Sequence, residues 1–189
     1  MNIALRRPGM TRDEFFAWVA TQEARFEFDG NRPVAMGGGS NNHSQITQNI
    51  YAALRARLRG GPCRQLGPDA GLATSGGAVR YPDALVTCTR PPGAELLVPG
   101  VVAVFEVLSP SSGRVDRIDK VREYRDVPSI RRYAILEYRS VGVTVFERAE
   151  GGHDWTATTL TGGETLQMGE VGIEIPVSDF YEDVDLSDA

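Results

Sequence analysis

The segment Val101-Val-Ala-Val-Phe-Glu-Val-Leu108 is apolar at every position except Glu106. A strand with one wet face alternates apolar and polar residues, whereas a run without alternation is buried on both faces. The chain must therefore cover this strand on two sides. Helical patterns precede and follow it, and shorter strand patterns lie on either side. That order predicts an α/β (α+β) fold with helices packed on a mixed β-sheet. The one polar residue is equally informative. A carboxylate in such a strand is costly unless it is paired, hydrogen-bonded or bound to a metal.

Thr11-Arg-Asp-Glu14 reads as a capping box opening a first helix, with Phe15, Trp18 and Val19 as its apolar stripe. Phe26–Met36 reads as a hairpin turning at Asp29-Gly30. Gly37–Asn42 is a loop lacking the Gly-Lys-Ser/Thr ending of a phosphate-binding P-loop. A second helix is predicted from about Asn42 to Arg59. Ile46, Ile50, Leu54 and Leu58 recur every four residues, and Gly60-Gly61-Pro62 stops it. Turns and short strands follow. Val79–Thr87 reads as a strand, Thr89–Pro99 as a loop and Val101–Leu108 as the buried strand, broken by Ser109-Pro-Ser-Ser-Gly113. A polar helix over Asp116–Asp126 ends before Pro128. Arg132–Tyr138, Val141–Arg148 and Trp155–Leu160 read as further strands, with a hairpin turn at Gly151-Gly152. With 189 residues and neither a repeat nor a dividing linker, the chain fits one domain. Its expected division is an N-terminal extension over 1–10, a domain over 11–180 and an acidic tail over 181–189.

Several function classes fall away. The longest strongly apolar run, Leu96–Leu108, is interrupted by Pro99, Gly100 and Glu106, short of the roughly 20 residues a membrane span needs. The first residues lack the apolar stretch of a secretory signal. Cys63 and Cys88 read as two free thiols in a reducing cytoplasm, too few and too isolated for a disulfide framework or a thiolate zinc site. Ser109, Ser111 and Ser112 lack a Gly-x-Ser-x-Gly elbow, and His43 and His153 form no zinc motif. The Trp and Tyr residues read as core and interface filling.

The net charge of −5 is unevenly spread. Asp179, Glu182, Asp183, Asp185 and Asp188 fall in the last eleven residues, and the remainder is neutral. Arg114–Arg139 carries eight bases against five acids. This excess reads as a phosphate footprint or a salt-bridged helix face, and a dedicated nucleic-acid binder is usually more basic. Of the 20 bases, Lys120 is the single lysine. Arginine is a planar fork that stays protonated, whereas lysine is a compact point charge whose pKa can move. A lone lysine therefore hints at a position where arginine does not serve.

Three residues stand out for chemistry. Asp83 sits inside an apolar strand pattern and Glu106 inside the buried strand. Two carboxylates on successive strands can meet at one sheet edge and offer oxygen ligands to Mg²⁺ or Mn²⁺ rather than zinc. Such an ion polarises a phosphoryl oxygen and acidifies a water. Lys120, fourteen residues after Glu106, is the only lysine that can orient that water or stabilise transition-state charge. The structural alternatives are an Asp83 that caps a turn or strand edge and a Glu106 paired with an arginine.

Pro82-Asp83 followed by Glu106-Val-Leu resembles the motif of the PD-(D/E)XK nuclease superfamily, and more closely its Uma-type branch of restriction-endonuclease-like proteins, once catalogued as a domain of unknown function. The resemblance runs from about Thr11 to Phe180. It includes Phe26-Glu-Phe-Asp-Gly30, His43 at a helix start, Phe105-Glu-Val-Leu-Ser-Pro-Ser111, the spaced Asp116, Asp119-Lys120 and Tyr124, and Val127-Pro-Ser-Ile-Arg-Arg-Tyr133. It implies a restriction-endonuclease-like core with extra C-terminal strands. By matched position it makes Asp83, Glu106 and the Val107 backbone carbonyl metal ligands, and Asp83, Glu106 and Lys120 catalytic. Leu108 stands where the superfamily places its lysine, and a lysine moved to the next helix is the habit of this branch. Glu27 is implied as an accessory acid. His43 is implied as a contact to phosphate or to a ligand carboxylate, with a helix-cap partner the other reading.

The resulting expectation is a cytoplasmic, Mg²⁺- or Mn²⁺-dependent endonuclease acting on nucleic acid, DNA first, with no membrane association and with a homodimer compatible. Two rivals remain. One is a non-cleaving nuclease-fold module that binds nucleic acid or a protein partner, suggested by the weak basicity and acidic tail. The other is an unrelated hydrolase using the same carboxylates on a small substrate.

Overall fold

The computed structural model describes residues 9–109, 115–149, 151–152 and 154–187. Residues 1–8, 110–114, 150, 153, 188 and 189, and the side chains of Val115 and Asp116, lie outside the described residues. The chain order is α1 (Arg12–Val19), β1 (Phe26–Phe28), β2 (Pro33–Ala35), α2 (Asn41–Leu58), β3 (Arg64–Leu66), β4 (Leu72–Ala73), β5 (Val79–Arg80), β6 (Ala84–Thr87) and β7 (Val101–Val107). A π-helical turn over Val115–Lys120 then runs into α3 (Val121–Arg125). β8 (Arg132–Leu136), β9 (Val143–Arg148), β10 (Trp155–Leu160), β11 (Thr165–Met168), β12 (Ile173–Pro176) and a 3₁₀ turn over Val177–Tyr181 follow.

The main sheet has six strands in the order β10-β9-β8-β7-β6-β3. Only β7 and β8 pair in parallel, and α3 lies on their crossover, as a parallel pair requires. A second sheet has the order β2-β1-β5-β4, and β11 and β12 form a separate hairpin. β7 is covered on both faces, as its composition demands. Ala103, Phe105 and Val107 share a core with Ile46, Ile50, Leu54 and Leu58 of α2 and with Phe180. Val104 and Leu108 share a second core with Tyr124, Ile130 and Tyr133. Each fully buried side chain of this size contributes about 1.5–3 kcal/mol relative to exposure. The capping box at Thr11 forms, with Glu14 closing it, and the hairpin turns at Asp29-Gly30, where Gly30 adopts φ 90°.

Residues 182–187 lie against α2. Asn42 Nδ2 donates to the Asp185 carbonyl at 2.6 Å, Asn49 Nδ2 donates to the Glu182 carbonyl at 2.8 Å, and Val184 and Leu186 pack on the first core.

Three expectations need correction. Val79–Thr87 is two strands in two sheets. Pro82 has no N–H to give to a ladder, and the chain passes from one sheet to the other across Tyr81-Pro82-Asp83. The polar helix over Asp116–Asp126 is a wide π-helical turn followed by only five α-helical residues. The cysteines are not free thiols, because Cys63 and Cys88 form a disulfide. β3 pairs antiparallel with β6 and sets Arg64 opposite Thr87. The residues one step further out are Cys63 and Cys88, with Cα atoms 3.9 Å apart. Sequence separation alone does not reveal that pairing.

The bond spans a sequence separation of 25 residues, for which loop-closure entropy gives about 3.5 kcal/mol. Reduction should lower the thermal midpoint, and Cys63→Ser should lower it equally and become insensitive to reductant. Two titratable thiols in native protein purified without reductant would contradict the bond.

Candidate active site

Successive residues of a strand point to opposite faces. With Phe105 and Val107 turned to α2, Glu106 faces the side of α3, and it is 5% exposed. Lys120, at the junction of the π-helical turn and α3, reaches back to it with Nζ 2.7 Å from Glu106 Oε1. One turn on, the Tyr124 hydroxyl donates to the same oxygen at 3.2 Å. Lys120 Nζ also lies 3.5 Å from Oε1 of Glu27, on β1. Glu27 accepts further bonds from the Tyr81 N–H at 3.1 Å and from Arg80 Nη1 at 3.0 Å. The rest of the Arg80 fork grips Glu123 of α3 through Nε and Nη2, both at 2.7 Å. A continuous charged chain thus runs Glu106, Lys120, Glu27, Arg80, Glu123, linking β7, α3, β1 and β5.

Burial opposes the charge on Arg80, but the hydrogen bonds and charges of Glu123 and the charge of Glu27 outweigh it and hold its pKa above the usual arginine value. Burial drives the Tyr124 phenol well above its usual range, and the carboxylates of Glu106 and Glu27 push it further. Tyr124 is therefore a neutral donor.

Asp83 belongs to a second group at the same place. It directly precedes Ala84, which stands opposite Phe105 in the β6–β7 ladder. The Val107 N–H donates to Asp83 Oδ2 at 2.7 Å. His43 Nε2, from the first turn of α2, lies 3.2 Å from the same oxygen, while the His43 N–H donates to the capping Ser40 hydroxyl at 3.2 Å. The Tyr51 hydroxyl, also on α2, donates to the Asp83 carbonyl at 2.5 Å. The two groups meet at the consecutive residues Glu106 and Val107.

The structure thus gathers Glu106, Lys120 and Glu27 in one ion-paired cluster, and Asp83, His43 and Val107 beside it. Sequence reasoning missed Arg80 and Glu123, and took tyrosines such as Tyr51 and Tyr124 for filling. For Arg80 a signal existed: a guanidinium in the apolar stretch before Tyr81 is as anomalous as the two carboxylates. For Tyr51, Glu123 and Tyr124 the helical periodicity shows only a face, not a hydroxyl or carboxylate aimed at a partner.

Among the described residues no group of three or more His, Cys, Asp or Glu side chains is placed to hold a metal ion. Two carboxylates and a peptide carbonyl remain as oxygen donors at Asp83, Glu106 and Val107. That set fits Mg²⁺ or Mn²⁺, since a hard octahedral cation commonly takes one or two protein carboxylates and fills its shell with water and phosphate oxygens. It does not fit a structural zinc site of thiolates and imidazoles. No helix of the described residues is long and apolar enough to cross a membrane.

A mixed sheet flanked by helices, with acids and one lysine converging beside its central strand, defines a restriction-endonuclease-like domain. The chain belongs to the Uma2 family, described as "Putative restriction endonuclease", whose model matches residues 12–178. It is 28% identical to the uncharacterized protein slr1290 of Synechocystis sp. over 92% of each chain. It is 23% identical to the uncharacterized protein sll1609 of the same organism, over 81% of this chain and 88% of that protein. In fold it is similar to the crystal structure of a "putative nuclease belonging to DUF820" from Anabaena variabilis, with a TM-score of 0.75 and 12% identity over 92% of this chain and 98% of that one.

Two stability measurements probe the cluster. Arg80→Leu strands two carboxylates and should cost about 3 kcal/mol or more in urea unfolding. Arg80→Lys should recover only part of that, lacking the fork. A loss of the size expected at an ordinary surface site would show that the chain of charges is not coupled. The second concerns pH. Tyr124 ionises in the unfolded chain near 10.0 but only well above that when folded. Its contribution is complete below pH 10 and is lost as pH rises beyond it. Unfolding free energy should fall with a steep alkaline slope, and Tyr124→Phe should flatten that slope.

Proposed function

We propose that the chain is a metal-dependent nuclease that hydrolyses phosphodiester bonds, with DNA as substrate. The observation that carries the reading is the reach of the only lysine in the chain from the α3 side to Glu106 at 2.7 Å, beside an Asp83 tied to the next residue of the same strand. Asp83, Glu106 and the Val107 carbonyl would hold Mg²⁺ or Mn²⁺. When bound, the cation supplies Lewis-acid polarisation of the scissile phosphoryl group and offsets its developing negative charge.

The chain's own residues do the remaining work. Water attacks phosphorus in line; a new P–O bond forms, the bond to the leaving sugar oxygen breaks, and that oxygen takes up a proton. Lys120 directs its ammonium at this locus, where it orients the attacking water and stabilises transition-state charge. Glu27 anchors Lys120 from the far side, and Arg80 fixes Glu27 through one arm of its fork. His43 and the Val107 N–H hold the Asp83 carboxylate on one oxygen, and Tyr51 holds its backbone. The bases of Arg117–Arg139 supply a modest attraction for the phosphate backbone.

The test is cleavage of plasmid and linear DNA with Mg²⁺ or Mn²⁺, beside calorimetric Mn²⁺ titration. Asp83→Ala and Glu106→Ala should each abolish cleavage and weaken Mn²⁺ binding while circular dichroism stays native. Lys120→Met should remove cleavage by at least about 100-fold and retain Mn²⁺ binding. Metal-dependent cleavage that survives in both acid variants would refute the assignment. A folded wild type that binds DNA but does not cut it, with any cation, would turn the reading to a non-cleaving module.

A further inference from the structure

α2 is the longest helix of the described residues, and its 18 residues include no aspartate or glutamate. The chain as a whole carries 25 acids against 20 bases, so an acid-free helix of this length is a local exception. Its inner stripe packs on the first core. Its outer face is one exposed ridge of Asn41, Ser44, Gln48, Ala52, Arg55 and the C-cap Arg59. These residues follow one another at three or four positions and so line up along one side of the helix. Residues 182–187 are held on another flank, by Asn42 and Asn49.

The charge on this ridge is not neutralised within the chain. Arg57 reaches Asp179 at 2.7 Å, but the Arg55 and Arg59 side chains have no ion pair among the described residues. The exposed arginines around α3 differ. Arg117 faces Glu137, Arg122 faces Asp119 at 3.9 Å, and Arg125 faces Asp126 at 3.8 Å. The ridge is also placed against the site. The first turn of α2 carries His43, 3.2 Å from Asp83 Oδ2, and Tyr51, one turn before Arg55, donates to the Asp83 carbonyl. The charges that act on Tyr51 are those of Asp83, Asp69 and Arg25, and Asp69 faces Arg25 at 3.3 Å.

We propose that the outer ridge of α2 is the track for one phosphodiester strand of the substrate, running from the Asp83 end at Ser44 to Arg59, about 22 Å along the helix axis. The proposal rests on the nuclease reading and names the surface that holds the strand. Asn, Ser, Gln and Arg side chains are among the usual donors to phosphate oxygens, and such contacts fix a protein's register on nucleic acid without reading its sequence. The ridge offers these donors, and its remaining residue, Ala52, is small enough to let a backbone pass. A strand of phosphates repeats its charge along a line, as the ridge repeats its donors, and that line ends beside the residues proposed to cut it.

Fluorescence anisotropy of a labelled DNA duplex with the full chain, in EDTA and again in Ca²⁺, reads binding apart from cleavage. Arg55→Gln with Arg59→Gln should weaken binding about tenfold or more and reduce the slope of log affinity against log salt by about 0.9 for each lost charge. Arg55→Lys with Arg59→Lys should keep both affinity and slope. Arg122→Gln with Arg125→Gln, on the α3 side, should have less than half the effect of the ridge pair. All four side chains are exposed, so circular dichroism and thermal midpoint should stay native. Should the double variant misfold, Arg55→Gln alone should show half the change in slope. A folded ridge variant that binds like the wild type overturns the track, and the nuclease reading stands if the wild type cuts. An equal loss from the α3 pair also overturns it, because net charge alone then accounts for binding. A wild type that binds no DNA overturns the track too, and the nuclease reading falls with it only if cleavage is absent as well.

Discussion

A carboxylate placed one residue before the end of the buried central strand is the constraint around which the rest of the molecule is arranged. Glu106 lies on β7, whose neighbours on both faces are aliphatic or aromatic. An isolated charge there would be neutralised or expelled. The protein instead brings a cation to it, and that cation needs a second acid because Lys120 is itself buried at 6% exposure. Glu27 answers Lys120, Arg80 answers Glu27, and Glu123 closes the sequence near the surface. Each link exists because the previous one left a buried charge uncompensated.

Stability alone does not explain such an arrangement. Buried ion pairs often contribute no more than apolar side chains of the same volume, and their removal as a set can even stabilise. An aliphatic residue at 106 with another at 120 would continue the pattern of Val104 and Leu108. The chain keeps the charges where they are costly, and the acid–base and metal chemistry proposed above is a use that would require them there. The lone lysine fits this view. Nineteen other bases are arginine, and where the fold needs a bidentate grip, at Glu123 and at Glu147 with Glu170, it uses Arg80 and Arg132. At Glu106 it uses a point charge.

Much of this was legible in the chain itself because it rests on local rules. The capping box at Thr11, the four-residue stripe of α2 and the unbroken apolar run of β7 each have a physical period or cap that a sequence displays. Anomalous charges in apolar runs marked Asp83 and Glu106. What stayed hidden depends on pairing between distant segments. The Cys63–Cys88 bond follows from the β3–β6 register, which no local pattern encodes. The Arg80–Glu123 grip depends on how α3 sits over β5. The division of Val79–Thr87 was visible in Pro82, but propensity on either side outweighed it.

That division is also what makes the site. A single strand through Val79–Thr87 would have kept Arg80 and Asp83 within one ladder, three residues apart and on opposite faces. Breaking it at Tyr81-Pro82-Asp83 lets Arg80 stay with β1 in the small sheet, where it holds Glu27 from the α3 side. Asp83 immediately precedes a new strand in the large sheet, beside Glu106 and within reach of α2. The Tyr81 N–H, free of any long ladder, turns to Glu27. One proline thus separates Arg80, which stays with the small sheet, from Asp83, which leads into the large one. The convergence of charge beside β7 follows from the route of the chain between them rather than from the spacing of acids along it.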